Sequence, residues 1–296
     1  MIELSYNVTH TDLDGISCGI LLKKLDSNIE TIYANYGDVD NTLLALQQPA
    51  NIYISDISCS RATLMELLDK GNKVVVLDHH KTALWLNDIN HPNLYCNIDT
   101  SKSGTKLCYE YVNDNGVNVT SFYDYVEAVN SHDLWLRDNN ASDTLAMLFS
   151  LLGRDAFIDR YTKDPAITVT PQEQLLLDVE IRRRTDIIEK AIKRVVILTD
   201  SKGYMYGVVY SQSYITEIGN AILNAIPELA YVAIIGLHIR PTPDSKLGVV
   251  SLRSANKVDV SEIAQLHKGG GHPNAAGFIL ENWDPKYFNE DLRVNI

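Results

Sequence analysis

The segment from residue 10 to residue 15 places three side chains that can bind a metal ion within five residues. It reads His-Thr-Asp-Leu-Asp-Gly, and its metal-binding types are His10, Asp12 and Asp14, directly after a predicted strand. Alternate residues of an extended segment point to the same side, and Gly15 lets the backbone turn into a helix. We therefore expect the three side chains to converge on one site.

Two further predicted strands end in acidic or imidazole side chains. One of these strands ends at Asp56. The other is an apolar run that is followed by Asp78, His79 and His80. The carboxyl ends of parallel strands lie along one edge of a sheet, so residues distant in sequence would meet there. Carboxylates gathered in this way repel one another, and two divalent cations would relieve the repulsion. Imidazole and carboxylate ligands without sulfur favour Mn²⁺, with Mg²⁺ as the second choice.

A glycine-rich stretch near the C-terminus is a candidate anion site. Gly269, Gly270 and Gly271 precede His272. Successive glycines leave room for a ligand and expose backbone N–H groups, so we predict an anion-binding nest in which His272 reaches a phosphate. Arg253 ends a predicted strand and is a second candidate, because its guanidinium group can bind two phosphate oxygens.

The pattern of apolar residues predicts the elements that position these groups. The first 100 residues alternate β-rich runs with amphipathic stretches, which is typical of an α/β domain with a doubly wound, mostly parallel sheet. A capping box at residues 170–173 predicts the start of a long helix that leads to a smaller C-terminal α/β domain. We predict a metal-binding catalytic domain at 1–165, a linker helix at 166–195 and a substrate-binding domain at 196–296.

Composition and charge exclude several classes of protein. Of the 296 residues, 45% are hydrophobic and 22% are charged, so we expect a globular protein. The net charge of −12 is opposite to that of a protein that binds long duplex DNA. No apolar run approaches the roughly 20 residues that span a bilayer, and the N-terminus lacks a signal-peptide pattern. We therefore predict a cytoplasmic protein without a membrane partner.

Together these motifs resemble those of the DHH phosphoesterases that carry a C-terminal DHHA1 domain. The segment 10–15 resembles the first motif of that family, and Asp56 resembles the second. The Asp-His-His at 78–80 resembles the third motif, and Asp133 resembles the fourth. The segment 269–272 resembles the DHHA1 signature. The match covers nearly the whole chain. For the fourth motif, His132 and Asp138 are alternatives to Asp133.

The resemblance implies a role for each motif residue. His10 and Asp12 would bind one Mn²⁺ ion, Asp14, His79 and Asp133 would bind the other, and Asp56 would bridge the two ions. Asp78 would orient its neighbours, and His80 would face the scissile phosphate. Arg253 and His272 would bind phosphates of the substrate.

The resemblance also implies a reaction, the hydrolysis of phosphodiesters by a water that two cations activate. The expected substrates are short oligonucleotides or linear dinucleotides, and the expected products are nucleoside 5′-monophosphates. A cyclic-dinucleotide phosphodiesterase and a single-strand exonuclease are the alternatives within the family. A non-catalytic nucleotide-binding module is the alternative from another class. The sequence leaves open whether the chain forms a homodimer.

Overall fold

Two sheets organise the chain, and each lies in its own unit. The computed structural model describes residues 4–136, 138–239 and 246–280, and it divides the chain into unit 1, residues 1–177, and unit 2, residues 178–296. The border between the units lies inside the long helix that begins at the capping box. None of the helices in the described ranges is long and apolar enough to cross a membrane.

The sheet of unit 1 is parallel throughout. Its strands are β1 (Ser5–Thr9), β2 (Glu30–Tyr33), β3 (Asn51–Ser55), β4 (Lys73–Asp78) and β5 (Leu94–Ile98). The order is β2-β1-β3-β4-β5, so the chain reverses its direction of growth between β1 and β3. Such a switch point is where open α/β sheets bind ligands. The predicted doubly wound, parallel sheet is confirmed.

Helices cover both faces of this sheet. They are α1 (Leu13–Leu25), α2 (Val39–Leu44), α3 (Arg61–Asp69), α4 (Gly104–Asp114), α5 (Tyr123–Asp133), α6 (Ser142–Leu152) and α7 (Arg154–Lys163), with 3₁₀ turns at Lys81–Asp88 and Thr120–Phe122. In β4, Val74 and Val76 pack on the side of α2 and α3, while Val75 and Leu77 pack on the side of α1 and α4. The apolar run of β4 therefore reflects burial on both faces.

The long helix α8 (Pro171–Arg194) begins with the capping box that the sequence predicts. The Thr170 hydroxyl accepts from the Glu173 amide at 3.2 Å, and the Glu173 carboxylate accepts from the Thr170 amide at 2.7 Å. Arg160 of α7 donates to the same carboxylate at 3.0 Å, so the first turn of α8 is tied to unit 1.

The sheet of unit 2 is mixed. Its strands are β6 (Val196–Thr199), β7 (Met205–Tyr210), β8 (Tyr231–Ile239), β9 (Lys246–Ser254), β10 (Gly270–His272) and β11 (Ala275–Leu280), in the order β10-β11-β9-β8-β7-β6. Among the described strands of this sheet, only β7 and β8 pair in parallel, and helix α9 (Ile215–Ala225) connects them. Helix α10 (Val260–Leu266) packs on the opposite face from α9. The predicted second α/β domain is confirmed.

Candidate metal centre

Three neighbouring strands of unit 1 deliver the acidic and imidazole side chains to one place. Strand β1 leads to His10 and Asp12, β3 leads to Asp56, and β4 ends at Asp78 before His79. Because β1, β3 and β4 are adjacent and parallel, their carboxyl ends lie side by side. The structure brings together the eight residues to which the family resemblance assigns a role in this domain: His10, Asp12, Asp14, Asp56, Asp78, His79, His80 and Asp133.

The first loop is fixed by the start of α1. Asp12 is its N-cap, and its carboxylate accepts from the Gly15 amide at 3.0 Å. A side chain at position 15 would put Cβ 2.4 Å from the His10 carbonyl oxygen, so the close turn requires glycine. Burial alone would raise the pKa of Asp12, but the Gly15 amide and His10 more than offset burial and lower that pKa. Asp12 is therefore ionised and held in place.

Asp14 is buried and bound by the N-terminus of α4. Its carboxylate accepts from the backbone amides of Gly104 at 2.7 Å and Thr105 at 2.9 Å. The first turn of a helix carries partial positive charge and stabilises a carboxylate there. A Cβ atom at Gly104 would lie 2.7 Å from Cβ of Asp56, so glycine is needed for this approach. Sequence reasoning missed this anchor, although Ser103 and Gly104 form a recognisable helix start.

Asp56 lies at the centre of the cluster and is only 2% exposed. Its backbone is left-handed with φ of 54°, a conformation that non-glycine residues rarely adopt and that marks functional strain when it persists. One carboxylate oxygen lies 3.1 Å from His79 Nε2. Burial, and then the charges of Asp14 and Asp12, raise the pKa of Asp56 well above its usual value. The site is thus unfavourable for this anion unless a cation is present.

Asp78 is fully buried and orients both histidines of the third motif. Its carboxylate accepts from His80 Nδ1 at 2.7 Å and from the His79 amide at 2.7 Å. Ser58 also donates to it. Burial would raise the pKa of Asp78, but the hydrogen bonds from His80 and Ser58 lower it. Asp78 therefore carries a charge that holds the His80 ring in one orientation.

Asp133 at the end of α5 completes the cluster. Its Oδ2 lies 3.5 Å from His79 Nε2, and burial followed by repulsion from Asp14 raises the pKa of Asp133 to about 7. The two alternatives for the fourth motif have other contacts. Asp138 accepts from the Ser131 hydroxyl at 2.6 Å, and His132 Nδ1 lies 3.9 Å from Asp143. Geometry thus favours Asp133.

The ligand atoms fall into groups that could each hold a cation. Atoms within 4.8 Å of one another come from three sets: His10, Asp12 and Asp56; Asp14, His79 and Asp133; and Asp56, Asp78, His79 and His80. In the described ranges, three buried atoms of the cluster have no hydrogen-bond partner: His10 Nδ1, Asp56 Oδ2 and Asp133 Oδ2. His10 Nδ1 is 2.8 Å from Asp12 but lacks the geometry of a hydrogen bond. Nitrogen and carboxylate oxygen atoms without a hydrogen-bond partner are suitable ligand atoms for divalent cations.

Tyr36 is a further residue of the site that sequence reasoning missed. Its hydroxyl lies 2.9 Å from His80 Nε2, and its ring centroid is 4.8 Å from that of His10. The side chain is 56% exposed. Nothing in the sequence near position 36 signals this contact, because it depends on the packing of the loop after β2 against the loop after β4.

The glycine-rich segment of unit 2 forms a hairpin. Strand β10 pairs with β11 and is connected to it by two residues. A Cβ atom at Gly269 would lie 2.2 Å from the Gly277 carbonyl oxygen, and one at Gly271 would lie 2.5 Å from that of Ala275. These two glycines are therefore required by the hairpin itself. Only Gly270 faces open space, and the Gly269 amide already donates to Ala264.

Arg253 and His272 lie in one row of the sheet of unit 2. His272 is opposite Ala275, which is opposite Arg253, so both side chains project from the same face. The Arg253 guanidinium donates to the Thr216 hydroxyl at 3.0 Å and to the Leu252 carbonyl at 2.9 Å. His272 is exposed. The register thus places the two predicted phosphate-binding side chains two strands apart, at roughly 10 Å.

Comparison with known proteins identifies relatives of the whole chain. The DHHA1 domain family matches residues 203–291. Oligoribonuclease NrnB of Bacillus subtilis is 30% identical over 292 residues, which span 91% of this chain and 71% of NrnB.

Solved structures share the fold. The pGpG-specific phosphodiesterase PggH of Vibrio cholerae has a TM-score of 0.58 at 16% identity, with 94% of each chain covered. RecJ of Thermus thermophilus in complex with Mn²⁺ has a TM-score of 0.54 at 16% identity, over 97% of this chain and 50% of RecJ. The family resemblance that the motifs carry is confirmed. This chain therefore belongs to the DHH phosphoesterases with a C-terminal DHHA1 domain, a family of metal-dependent nucleotide phosphodiesterases.

Proposed function

We propose that this protein is a Mn²⁺-dependent phosphodiesterase that hydrolyses short linear oligonucleotides or dinucleotides to nucleoside 5′-monophosphates. The observation that carries the proposal is the grouping of the ligand atoms. Asp56 belongs to two candidate sets, and it lies 3.1 Å from His79, which also belongs to the set with Asp14 and Asp133, so one buried carboxylate can serve two cations.

The six proposed ligands divide between the cations: His10 and Asp12 on the first, Asp14, His79 and Asp133 on the second, and Asp56 on both. This donor set suits Mn²⁺, and Mg²⁺ is the proposed substitute. When bound, the two cations would lower the pKa of the attacking water and neutralise charge that develops on the phosphoryl oxygens.

His80 is proposed to contact the phosphate that is cleaved. Its hydrogen bond to Asp78 raises the pKa of His80, which favours the imidazolium form with an N–H at both ring nitrogens. Nδ1 is held by Asp78, so Nε2 is the proposed donor, and a substrate oxygen would replace the Tyr36 hydroxyl that lies 2.9 Å from it. Asp78 thereby positions His80 without touching the substrate.

The second part of the chain is proposed to bind the remaining phosphates. Arg253 has five N–H donors and uses two nitrogens for Thr216 and Leu252, so donors remain for a phosphate. His272 and the open position at Gly270 lie in the same region of the sheet. We propose a catalytic domain at 1–165, a linker helix at 166–195 and a substrate-binding domain at 196–296.

Two facts support short substrates. The relative with 30% identity is named an oligoribonuclease. A net charge of −12 opposes the binding of a long phosphate backbone, whereas a pair of cations can offset it for a few phosphates. We further propose that the protein acts in the cytoplasm.

The test is product analysis by ion-exchange chromatography. Purified protein is incubated with Mn²⁺, Mg²⁺ or EDTA on 5′-phosphorylated RNA and DNA of two to twenty nucleotides, and on cyclic dinucleotides. The proposal predicts release of mononucleotides that requires Mn²⁺ or Mg²⁺ and is fastest on the shortest linear substrates. Cleavage of cyclic dinucleotides alone, or processive digestion of long single strands, would replace it with one of the two alternatives within the family.

Two matched variants test whether Asp133, and not the nearby Asp138, belongs to the metal centre. Asp133→Asn should abolish turnover, and Asp138→Asn should leave it within about twofold, because only Asp133 contributes an atom to a candidate set. Nucleotide binding by the wild-type protein with no turnover on any substrate would favour the non-catalytic module.

A further inference from the structure

Trp135 lies at the edge of the metal centre and has no role in the reaction described above. It follows Asp133 by two residues, at the end of α5. A cavity of about 120 Å³ is lined by Trp135 and His132 together with three of the proposed metal ligands, Asp12, Asp14 and Asp133. The indole therefore borders the space in which a phosphate would meet the cations.

The backbone at Trp135 is unusual. Its φ is 57°, in the left-handed region that bulky side chains rarely adopt. The Trp135 amide donates to the His132 carbonyl at 3.2 Å, and the Leu136 amide donates to the Ser131 carbonyl at 3.0 Å, so the turn is well defined. It leaves the indole 66% exposed, although tryptophan is usually largely buried. The two hydrogen bonds form a Schellman cap that ends α5 and accounts for the left-handed backbone, whereas burial in the core does not account for the exposed position of the indole.

The indole is also held against a second ring. Trp135 and His132 are nearly parallel, with an interplanar angle of 24° and centroids 6.4 Å apart. Such an offset arrangement is favourable for aromatic rings and restricts the orientation of the indole. A flat aromatic surface is thus presented, in a fixed orientation, beside the carboxylates of the metal centre.

We propose that Trp135 stacks on the nucleobase next to the scissile phosphate and so makes the enzyme selective for nucleotides among phosphodiesters. In a nucleotide one sugar separates the phosphate from the base, so a phosphate at the metal centre brings its base to the rim of the cavity. Stacking on an aromatic side chain accepts every base, because each base has a π-face. This inference rests on the proposed function, since it needs a nucleotide phosphate at the metal centre.

The kinetic test compares intact dinucleotides with dinucleotides whose base is replaced by an abasic residue. Trp135→Ala should raise KM for the intact substrate by about 5- to 150-fold and change KM for the abasic substrate little. Trp135→Phe should keep most of the preference for the intact substrate, because a ring remains. Trp85→Phe is the matched control, since Trp85 lies in the 3₁₀ turn after the third motif, packs partly against the core and does not line the cavity.

A binding measurement separates this inference from the proposed function. AMP, in the presence of Mn²⁺, should quench the tryptophan fluorescence of the wild-type protein and of Trp85→Phe, but not that of Trp135→Phe. Ribose 5-phosphate should quench none of them. If no oligonucleotide is hydrolysed, the proposed function fails while this quenching still decides whether Trp135 stacks on a base. If oligonucleotides are hydrolysed and Trp135→Ala keeps the wild-type preference for intact over abasic dinucleotides, stacking is overturned and the function stands.

Discussion

The two units bring distant residues together in different ways. In unit 1, parallel strands end at a common edge, and each of β1, β3 and β4 carries its acidic or imidazole groups just beyond that end. In unit 2, most neighbouring strands are antiparallel, so their carboxyl ends lie at opposite edges. Arg253 and His272 share a face only through the register of β9, β11 and β10. In a parallel sheet, the common direction of the strands is enough to bring these side chains together. In a mixed sheet, it depends on which residues are paired on neighbouring strands.

The chemistry of the two regions also differs. The groups of unit 1 are buried carboxylates that repel one another, and burial together with that repulsion raises the pKa of Asp56 and of Asp133. The candidate groups of unit 2 are a cation with hydrogen-bonded partners and an exposed histidine. We therefore expect substitutions of the buried carboxylates in unit 1 to lower kcat and substitutions of Arg253 or His272 in unit 2 to raise KM.

The largest effect is expected at Asp56. Asp56→Asn keeps the shape of the side chain and tolerates a left-handed backbone, but it removes the charge that we propose both cations share. Turnover on a dinucleotide should fall by about 10³-fold or more. In EDTA the variant should unfold at the same or a higher temperature than the wild type, because a buried repelled charge is gone. Turnover near the wild-type rate would contradict the bridging role.

A smaller loss of turnover is expected at Asp78. Asp78→Asn leaves the candidate ligands of the two cations in place but weakens the hold on His80 Nδ1 and on the His79 amide. Residues that orient ligands typically contribute 10- to 100-fold, and we expect kcat to fall within about that range. The alkaline limb of the kcat–pH profile should also move to lower pH, because His80 acts in its protonated form and loses the hydrogen bond that raises its pKa. An unchanged profile would mean that Asp78 only supports the fold.

Arg253→Met tests unit 2. It keeps the aliphatic stem that packs beside Gly219 and removes the guanidinium group. We expect KM to rise by about tenfold, the typical contribution of a charged hydrogen bond, with kcat changed by less than about twofold. Steady-state kinetics on a 5′-phosphorylated dinucleotide measures both. A fall in kcat at constant KM would contradict the division of roles between the two units.

Tyr36→Phe should have a modest effect of the opposite sign. The Tyr36 hydroxyl occupies His80 Nε2, the atom proposed to donate to the substrate. Its loss should lower KM by about two- to tenfold, the net range of one hydrogen bond, without lowering kcat. A higher KM would show instead that Tyr36 itself binds the substrate.

The smallest expected effect is a shift of a few degrees in melting temperature. The pKa of Asp133 is about 7 in the folded cation-free protein and about 3.9 in an unfolded chain. Between these values the folded state binds more protons, so raising the pH destabilises the cation-free protein. In our proposal Mn²⁺ would bind the ionised form of Asp133, so its stabilising effect should be larger at pH 7.5 than at pH 5.5. Thermal melts with Mn²⁺ and with EDTA at both values measure this, and equal shifts would contradict it.

Much of the fold and part of the site follow from local sequence. The apolar run of β4 and the capping box of α8 each act over a few residues, so these elements could be predicted closely. The convergence of the strand ends in unit 1 followed from the expectation of a parallel sheet.

The parts that the sequence did not predict depend on contacts between distant segments. Asp14 is bound by amides of Gly104 and Thr105, about 90 positions later, and Tyr36 contacts His80 across two loops. The role of the glycines is a second example. We interpreted all three as room for a ligand, but Gly269 and Gly271 are required by the close approach of β11. Local sequence patterns predict the helix or strand that a residue belongs to. They do not show which distant part of the backbone packs against that residue.

We propose that unit 1 binds two divalent cations that share Asp56. The most direct measurement is the anomalous scattering of Mn²⁺ in crystals of the wild type, of Asp56→Asn and of Asp138→Asn. Two peaks are expected in the wild type and in Asp138→Asn, one on each side of the Asp56 carboxylate, and at least one peak should be lost in Asp56→Asn. A single peak in the wild type, or two peaks that remain in Asp56→Asn, would contradict this proposal.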